Sequence, residues 1–407
     1  MPFLVRVLFL STVLLPAKLF AQDAPTDSIE SPTAIEEVLP DSSNFVTASI
    51  LLSSPGKEAF FALGHSGIRL KSPSKGLDYC FSFSTVLQMG PAFNLVIILG
   101  QMKGGYEAVT FEEYIKTFAD EGRGVTEYPL NLTLHEEQEL WRLMDQKIMK
   151  GPVDKFDFLK NNCTSTLFKS ISSILENESF SYPNISPLNL NTRDAFHVVF
   201  KDTPWMEFMG LMMLSAISPD KDVPLELIIS PKLWAEILPK TIIKGLDGSS
   251  RQALEESPKV ILPQILRIEK TPLTPTLVFA LLFLFVMIIS ILEYKAGLRK
   301  LPRICDILLF TAYTFFAFYL LYASCIQIFG MVWNWFFIVF NPLPPLLWLL
   351  FRKKDSYSKI WIIYSAILLC FMIFYSLHTG RMEWAHEFML AILLARCLTK
   401  YLIRNKT

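Results

Sequence analysis

The chain has 407 residues, 52% of them hydrophobic and 13% aromatic, and a mean hydropathy of +0.37, which is too apolar for a soluble protein of this length. Its 38 basic and 38 acidic side chains cancel. Nothing in that balance would neutralise a phosphate backbone, so no nucleic-acid partner is expected.

The amino terminus has the form of a secretory signal over residues 1–21. Arg6 supplies a positive region, residues 7–15 an apolar run, and Leu19-Phe20-Ala21 a cleavage point. The run is short for a bilayer span, which takes about 20 apolar residues, and an uncleaved anchor is the alternative reading. Residues 22–44 are acidic, carry Pro and Ser without periodicity, and are expected to be a linker. A folded domain is expected over residues 45–272. Strand-like stretches cover residues 46–52, 59–70 with a break at Gly64, and 78–86; helical patterns cover 110–121, 134–150 and 163–175. Thr133 followed by Glu136 has capping-box spacing at the start of the second helix. Residues 202–272 are punctuated by Pro and include a Met-rich stretch from Trp205 to Ile217. The pattern is α+β rather than a doubly wound sheet.

From residue 273 the composition changes to a transmembrane region running to residue 407. Five apolar stretches appear, at about 273–292, 304–328, 331–351, 360–377 and 384–403. The third is broken by Asn341-Pro342-Leu343-Pro344-Pro345, where neighbours must satisfy the freed carbonyls. Lys295, Arg299, Lys300 and Arg303 follow the first stretch, and Arg352, Lys353, Lys354 and Lys359 the third. No basic residue follows the second, and only Arg381 the fourth; the tail has Lys400, Arg404 and Lys406. Positive charge on the inside then sets the large domain outside the bacterial inner membrane, in the periplasm, and the carboxyl end in the cytoplasm.

Two short segments are candidates for chemistry. One is Leu63-Gly64-His65-Ser66-Gly67-Ile68-Arg69-Leu70, a histidine in a strand between small residues; the other runs from Phe156 through Asn161-Asn162-Cys163-Thr164 to Phe168, a cysteine opening a helix. Main-chain N–H groups and the positive dipole end at a helix start favour thiolate over thiol and serve an oxyanion. A facing imidazole would complete a nucleophile–base pair of Cys163 and His65. The alternatives are a buried Cys163 with a core His65, and a disulfide between Cys163 and Cys80. Cys305, Cys325, Cys370 and Cys397 fall in or beside apolar helices and are expected to be small buried hydrophobes. His135 and His197 are expected to be structural. His378, Arg381, Glu383, His386 and Glu387 cluster at the outer mouth of the fourth and fifth stretches, where they are candidates to contact a lipid headgroup. No metal-ligand spacing or phosphate loop is present in the sequence, and neither metal nor cofactor is expected.

The exported region resembles the periplasmic domain of the Lnb family, the lipoprotein N-acyltransferases of Bacteroidetes. The likeness rests on Gly64-His65-Ser66-Gly67-Ile68-Arg69, on Glu121-Gly122-Arg123 with Glu127 and Leu130-Asn131-Leu132-Thr133, and on Phe156-Asp157-Phe158 with Asn162-Cys163-Thr164. Pro204-Trp205, Asp220, Ser230-Pro231, and Trp333-Asn334-Trp335 with Asn341-Pro342-Leu343 extend it to about residue 350. Asn161 stands where the family has aspartate, Thr166 where it has arginine, and Ser82 where asparagine is expected. Ser82, Ser84 and Asn162 are therefore the candidates for a third catalytic group, and Arg69, Arg123, Asn334 and Asn341 for supporting or substrate-binding roles. The His-before-Cys order is also similar to the permuted papain-like (NlpC-type) group. The resemblance implies such a domain ahead of about five transmembrane helices. It further implies transfer of an acyl chain, through a Cys163 thioester, from a membrane phospholipid to the amino-terminal diacylglyceryl-cysteine of lipoproteins. A membrane-tethered cysteine peptidase or amidase would use the same pair, and a lipid-binding scaffold would leave it inert.

Overall fold

The structure is a computed structural model; it describes residues 46–85, 95–96, 99–100, 102–151, 154–156, 161–182, 197, 199–200, 202–213, 230–268, 271–325, 334–344, 357–379 and 382–406. The expected signal peptide and linker, Arg381, Asp157, Asp220, Trp333, and both ends of the third apolar stretch lie outside the described residues, as does the side chain of His378.

The exported part is built on strands β1 (Thr47–Ser53), β2 (His65–Ser72), β3 (Leu77–Thr85), β4 (Lys103–Thr110), β5 (Val125–Pro129) and β6 (Asp154–Lys155). A small sheet of β7 (Glu178–Ser181), β8 (Ile242–Gly245) and β9 (Ser250–Gln252) follows, and then β10 (Lys259–Leu262). The large sheet has the order β10-β5-β1-β2-β3-β4-β6, antiparallel throughout. β1 is covered on both faces, which is why it reads as an unbroken apolar run instead of alternating. Ile50 and Leu52 join the main core with Ile68, Leu70 and Phe81, while Leu51 turns to the opposite face with Cys80 and Val125.

Three helices cover that sheet. Helix α1 (Phe111–Asp120) lays Tyr114 and Phe118 on the Leu51 face. Helices α2 (Leu134–Met149) and α3 (Cys163–Ser173) pack Leu140, Met144, Leu167, Phe168 and Ile171 on the Ile50 face. Their starts are chemically fixed. Thr110 with Glu113, Thr133 with Glu136 and Asn162 with Ser165 each close a capping box. The stretch 59–70 is not one strand. Ala59–Phe61 forms a 3-10 turn, Gly64 N–H closes on the Phe61 carbonyl at 3.0 Å, and the strand starts only at His65.

In the carboxyl-terminal region, α6 (Pro275–Ala296), α7 (Lys300–Cys325) and α8 (Tyr357–Thr379) follow α4 (Pro204–Met213) and α5 (Pro231–Ile237). Among the described residues, three helices are long and apolar enough to cross a membrane: α6, α7 and the Lys359–Leu377 part of α8. The fifth stretch forms α9 (Trp384–Lys406), which carries Arg396 and Lys400. Arg396, 3% exposed, bonds Ser290, Glu293 and Asp306, and Lys400 pairs with the same two acids. The described part of the third stretch is a 3-10 turn, Trp335–Ile338, followed by the expected break. Tyr313 Oη donates toward the carbonyls of Val339 (2.6 Å) and Asn341 (2.9 Å), and Tyr364 Oη donates to Val339 at 2.7 Å. Those hydroxyls satisfy the carbonyls that Pro342 and its neighbours free.

The Met-rich helix α4 belongs to the core of this bundle. Phe208, Met212 and Met213 pack with Phe336, Tyr375 and Leu390, and Asn334 Nδ2 donates to the Met212 carbonyl at 3.0 Å. Phe200 packs both here and against Val199, Leu233 and Ile237, a cluster that reaches Leu63 beside the His65 segment. Arg396→Ala would leave Glu293 and Asp306 short of a buried partner and should cost roughly 3 kcal/mol or more. Thermal unfolding in detergent checks this, and an unchanged midpoint would contradict the role of the ion cluster.

Candidate active site

Cys163 is the first residue of α3, half-buried, with its sulfur against N–H groups from two elements: Thr164 on the helix and Ser66 on β2. The seam between helix and strand is pinned by the bond between the Ser66 and Thr164 hydroxyls, 2.9 Å and buried. The β2–β3 ladder begins one residue later, at Gly67 opposite Ser82. Asn162 caps the helix, its Oδ1 accepting from Thr164 N–H and Ser165 N–H at 2.8 Å each, while Thr166 N–H bonds the Asn162 carbonyl. Of the first-turn amides, the one left beside the sulfur without a capping bond among the described residues is that of Cys163 itself. The side-chain oxygen of Asn162 is therefore committed to the cap.

Burial pushes the Cys163 thiol up, and the Thr164 hydroxyl and the N–H groups of Ser66 and Thr164 pull against it. All six cysteines are free among the described residues. Cys80 is fully buried on the opposite face of β3, its thiol pushed far up by burial, so the Cys80–Cys163 disulfide does not form in this structure.

His65 opens β2 opposite Ser53, with its ring stacked on Phe118 at 6.3 Å between centroids. It lies on the α1 side of the sheet. Among the described residues, the rings of His65 and Cys163 Sγ make no direct hydrogen bond, although His65 adjoins the residue whose N–H meets the sulfur. Burial, and after it the charge of Arg123, pushes the imidazole down to about 4. Thiol and imidazole are therefore both neutral near pH 7, and no preformed ion pair joins them. Gly64 sets this start. At φ +88° it needs no side chain, and an added Cβ would come within 2.4 Å of the Ser53 carbonyl.

The arginines are fully engaged. Arg123, 2% exposed, donates to the Ser54 carbonyl (2.8 Å), Ser53 Oγ (2.7 Å) and Glu121 (2.9 Å), and its guanidinium lies over the Phe118 ring at 4.7 Å. Arg69 pairs with Asp78 at 2.6 Å and Glu127 at 3.0 Å and covers Phe111. Both brace strands, and neither presents a free cation to a substrate.

Two separate family models match the chain. The model described as the Lnb N-terminal periplasmic domain matches residues 41–192, and that described as the Lnb transmembrane domain matches residues 267–407. The chain belongs to the Lnb family. No curated protein and no solved structure matches it significantly. It is an integral membrane protein with a periplasmic amino-terminal domain.

Within this Lnb chain the other candidates are dispersed. Ser82 lies opposite Gly67 and donates to Glu107 at 2.8 Å; Ser84 lies further along β3, opposite Gly105. Asn334 and Asn341 hold backbone in the bundle, Asn341 Nδ2 donating to Ile338 and its Oδ1 accepting from Leu343 N–H. His386 is buried, its Nε2 on the Phe208 carbonyl at 3.1 Å. His197 joins Glu207 and Glu383, hydrogen bonds that push it up to about 9. It therefore ties the connecting segment to the start of α9, a partnership between distant segments with no local signature. His135 is exposed beside Glu176.

The depressed His65 value gives a signed expectation. The stability contributed by the neutral ring is complete above about pH 6.5 and falls away as pH drops toward 4. A histidine NMR titration of the full chain should place the His65 midpoint near 4, and a midpoint at 6–7 would contradict the buried, Arg123-facing position. Gly64→Ala should cost on the order of 1–2 kcal/mol from the left-handed backbone alone, with a larger loss of activity because the His65 start shifts. Wild-type activity in that variant would contradict it.

Proposed function

We propose that this Lnb chain is an apolipoprotein N-acyltransferase in which Cys163 is the nucleophile and His65 its base. The observation that carries the reading is the Cys163 sulfur held at a helix start by main-chain N–H groups of α3 and β2, in a domain of the Lnb family joined to a membrane bundle. In the reaction His65 takes the thiol proton as the sulfur attacks an ester carbonyl of a phospholipid. The C–S bond forms, the ester C–O bond breaks, and the lysophospholipid alcohol leaves with the proton from His65. The α-amine of a diacylated lipoprotein's first cysteine then attacks the thioester. The C–N bond forms, the C–S bond breaks, and the amine's proton passes by way of His65 back to sulfur.

The oxyanion in each half-reaction would lie against Cys163 N–H, worth roughly a hundredfold or more in rate for one well-aimed donor. The imidazole must come within hydrogen-bonding reach of the sulfur when substrate is bound, as catalytic contacts often tighten only in the complex. The domain is of the permuted papain-like kind in this reading. The basic loops set the carboxyl end in the cytoplasm, so both lipid substrates arrive from the outer leaflet. Apolar packing from Leu63 through Phe200 into the bundle core joins the His65 side of the domain to the membrane helices.

The test is a purified full-length protein in phospholipid, given a diacylated lipopeptide with a free amino terminus. The lipopeptide should gain one amide-linked acyl chain, and Cys163→Ala and His65→Ala should each lower the rate by roughly a thousandfold or more. Wild-type rates in Cys163→Ala would overturn the mechanism. Cleavage of the peptide without acyl gain would indicate a peptidase instead.

A further inference from the structure

Among the described residues, Tyr114 turns an aromatic hydroxyl into the seam from the α1 side, over Gly67. Its side chain is 5% exposed, and its hydroxyl is buried with no hydrogen-bond partner among the described residues. Leaving a buried hydroxyl unpaired is costly, and an isosteric Phe would avoid the cost. The hydroxyl lies over Gly67, whose added Cβ would come within 2.9 Å of it. Gly67 follows Ser66, the residue whose N–H meets the Cys163 sulfur. Cys163 is also within electrostatic reach of the phenol, together with Cys80, Arg123 and Glu107. The second glycine of Gly64-His65-Ser66-Gly67 therefore clears the space that seats this hydroxyl.

We infer that the Tyr114 hydroxyl is a further catalytic donor, hydrogen-bonding the carbonyl oxygen that becomes negative when Cys163 attacks an acyl ester. The inference rests on the reading of Cys163 as the nucleophile. A neutral donor is what an oxyanion beside sulfur requires, and burial keeps the phenol protonated far beyond neutral pH. It complements Cys163 N–H from the other side of the seam, so that the oxyanion meets one main-chain and one side-chain donor. An unpaired donor held in advance suits this role because it needs no reorganisation when charge develops.

The experiment compares full-length wild type, Tyr114→Phe, Gly67→Ala and Cys163→Ala in phospholipid. It reads acyl transfer to the lipopeptide, alkylation of the thiol by iodoacetamide, and the thermal midpoint. Iodoacetamide displacement forms no oxyanion, so it reports the thiol and its base alone. In Tyr114→Phe transfer should fall by about a hundredfold, with alkylation within about twofold of wild type and the midpoint unchanged or higher. Gly67→Ala, which pushes the hydroxyl away, should also lose transfer. Undiminished transfer in Tyr114→Phe would overturn the inference, as would a parallel loss of alkylation or a lowered midpoint, which would mark a structural role. Full activity in Cys163→Ala would instead defeat the underlying reading, whatever Tyr114→Phe does.

Discussion

The sulfur of Cys163 sits where a helix begins and a strand ladder has not yet closed, and N–H groups from both meet it. That junction depends on a small set of contacts. The Asn162 cap fixes the first turn of α3, the Ser66–Thr164 hydroxyl pair fixes the helix to β2, and Gly64 fixes where β2 begins. The rest of the domain holds those three in register: Arg123 binds the end of β1 to the end of α1, and the two aliphatic faces of β1 are clamped between helices. A shift of one residue along β2 would exchange Ser66 for His65 or Gly67 at the seam and turn the imidazole to the other face.

Electrostatics at this site favours neutrality. Burial disfavours both the thiolate and the imidazolium, and the nearby Arg123 adds to the second effect while its own charge is absorbed by Glu121 and neighbouring oxygens. With both groups neutral, the resting thiol is a weak nucleophile and reacts slowly with electrophiles in water. In an oxidising compartment that restraint protects a free thiol, and the depth of Cys80 keeps a second thiol out of reach.

Much of this architecture was legible in the sequence because its causes are local. The Thr133–Glu136 spacing marked the start of α2, and helical periodicity marked α1 and α3, whose caps at Thr110 and Asn162 the structure adds; apolar runs marked β1 and β3; and the change of composition near residue 273 marked the bundle. The pair of motifs around His65 and Cys163 was visible as well. What stayed hidden depends on partners far apart in the chain. Nothing in Pro204–Met213 says that its methionines fill the membrane bundle, since a Met-rich helix packs equally on a soluble core. Arg69 and Arg123 look like substrate cations until Asp78, Glu127, Glu121 and the Ser53–Ser54 backbone are seen around them. Tyr114 is one apolar-face position of an amphipathic helix, and only its place over Gly67 distinguishes it.

The central claim is that Cys163 carries an acyl chain between two lipids. The most direct test is the intact mass of the full-length protein after incubation with phospholipid and no acceptor. The account predicts a gain of one acyl chain on Cys163, released by neutral hydroxylamine and absent from Cys163→Ser. A protein that turns over lipopeptide yet never carries that adduct, or carries it equally in the variant, would contradict the account.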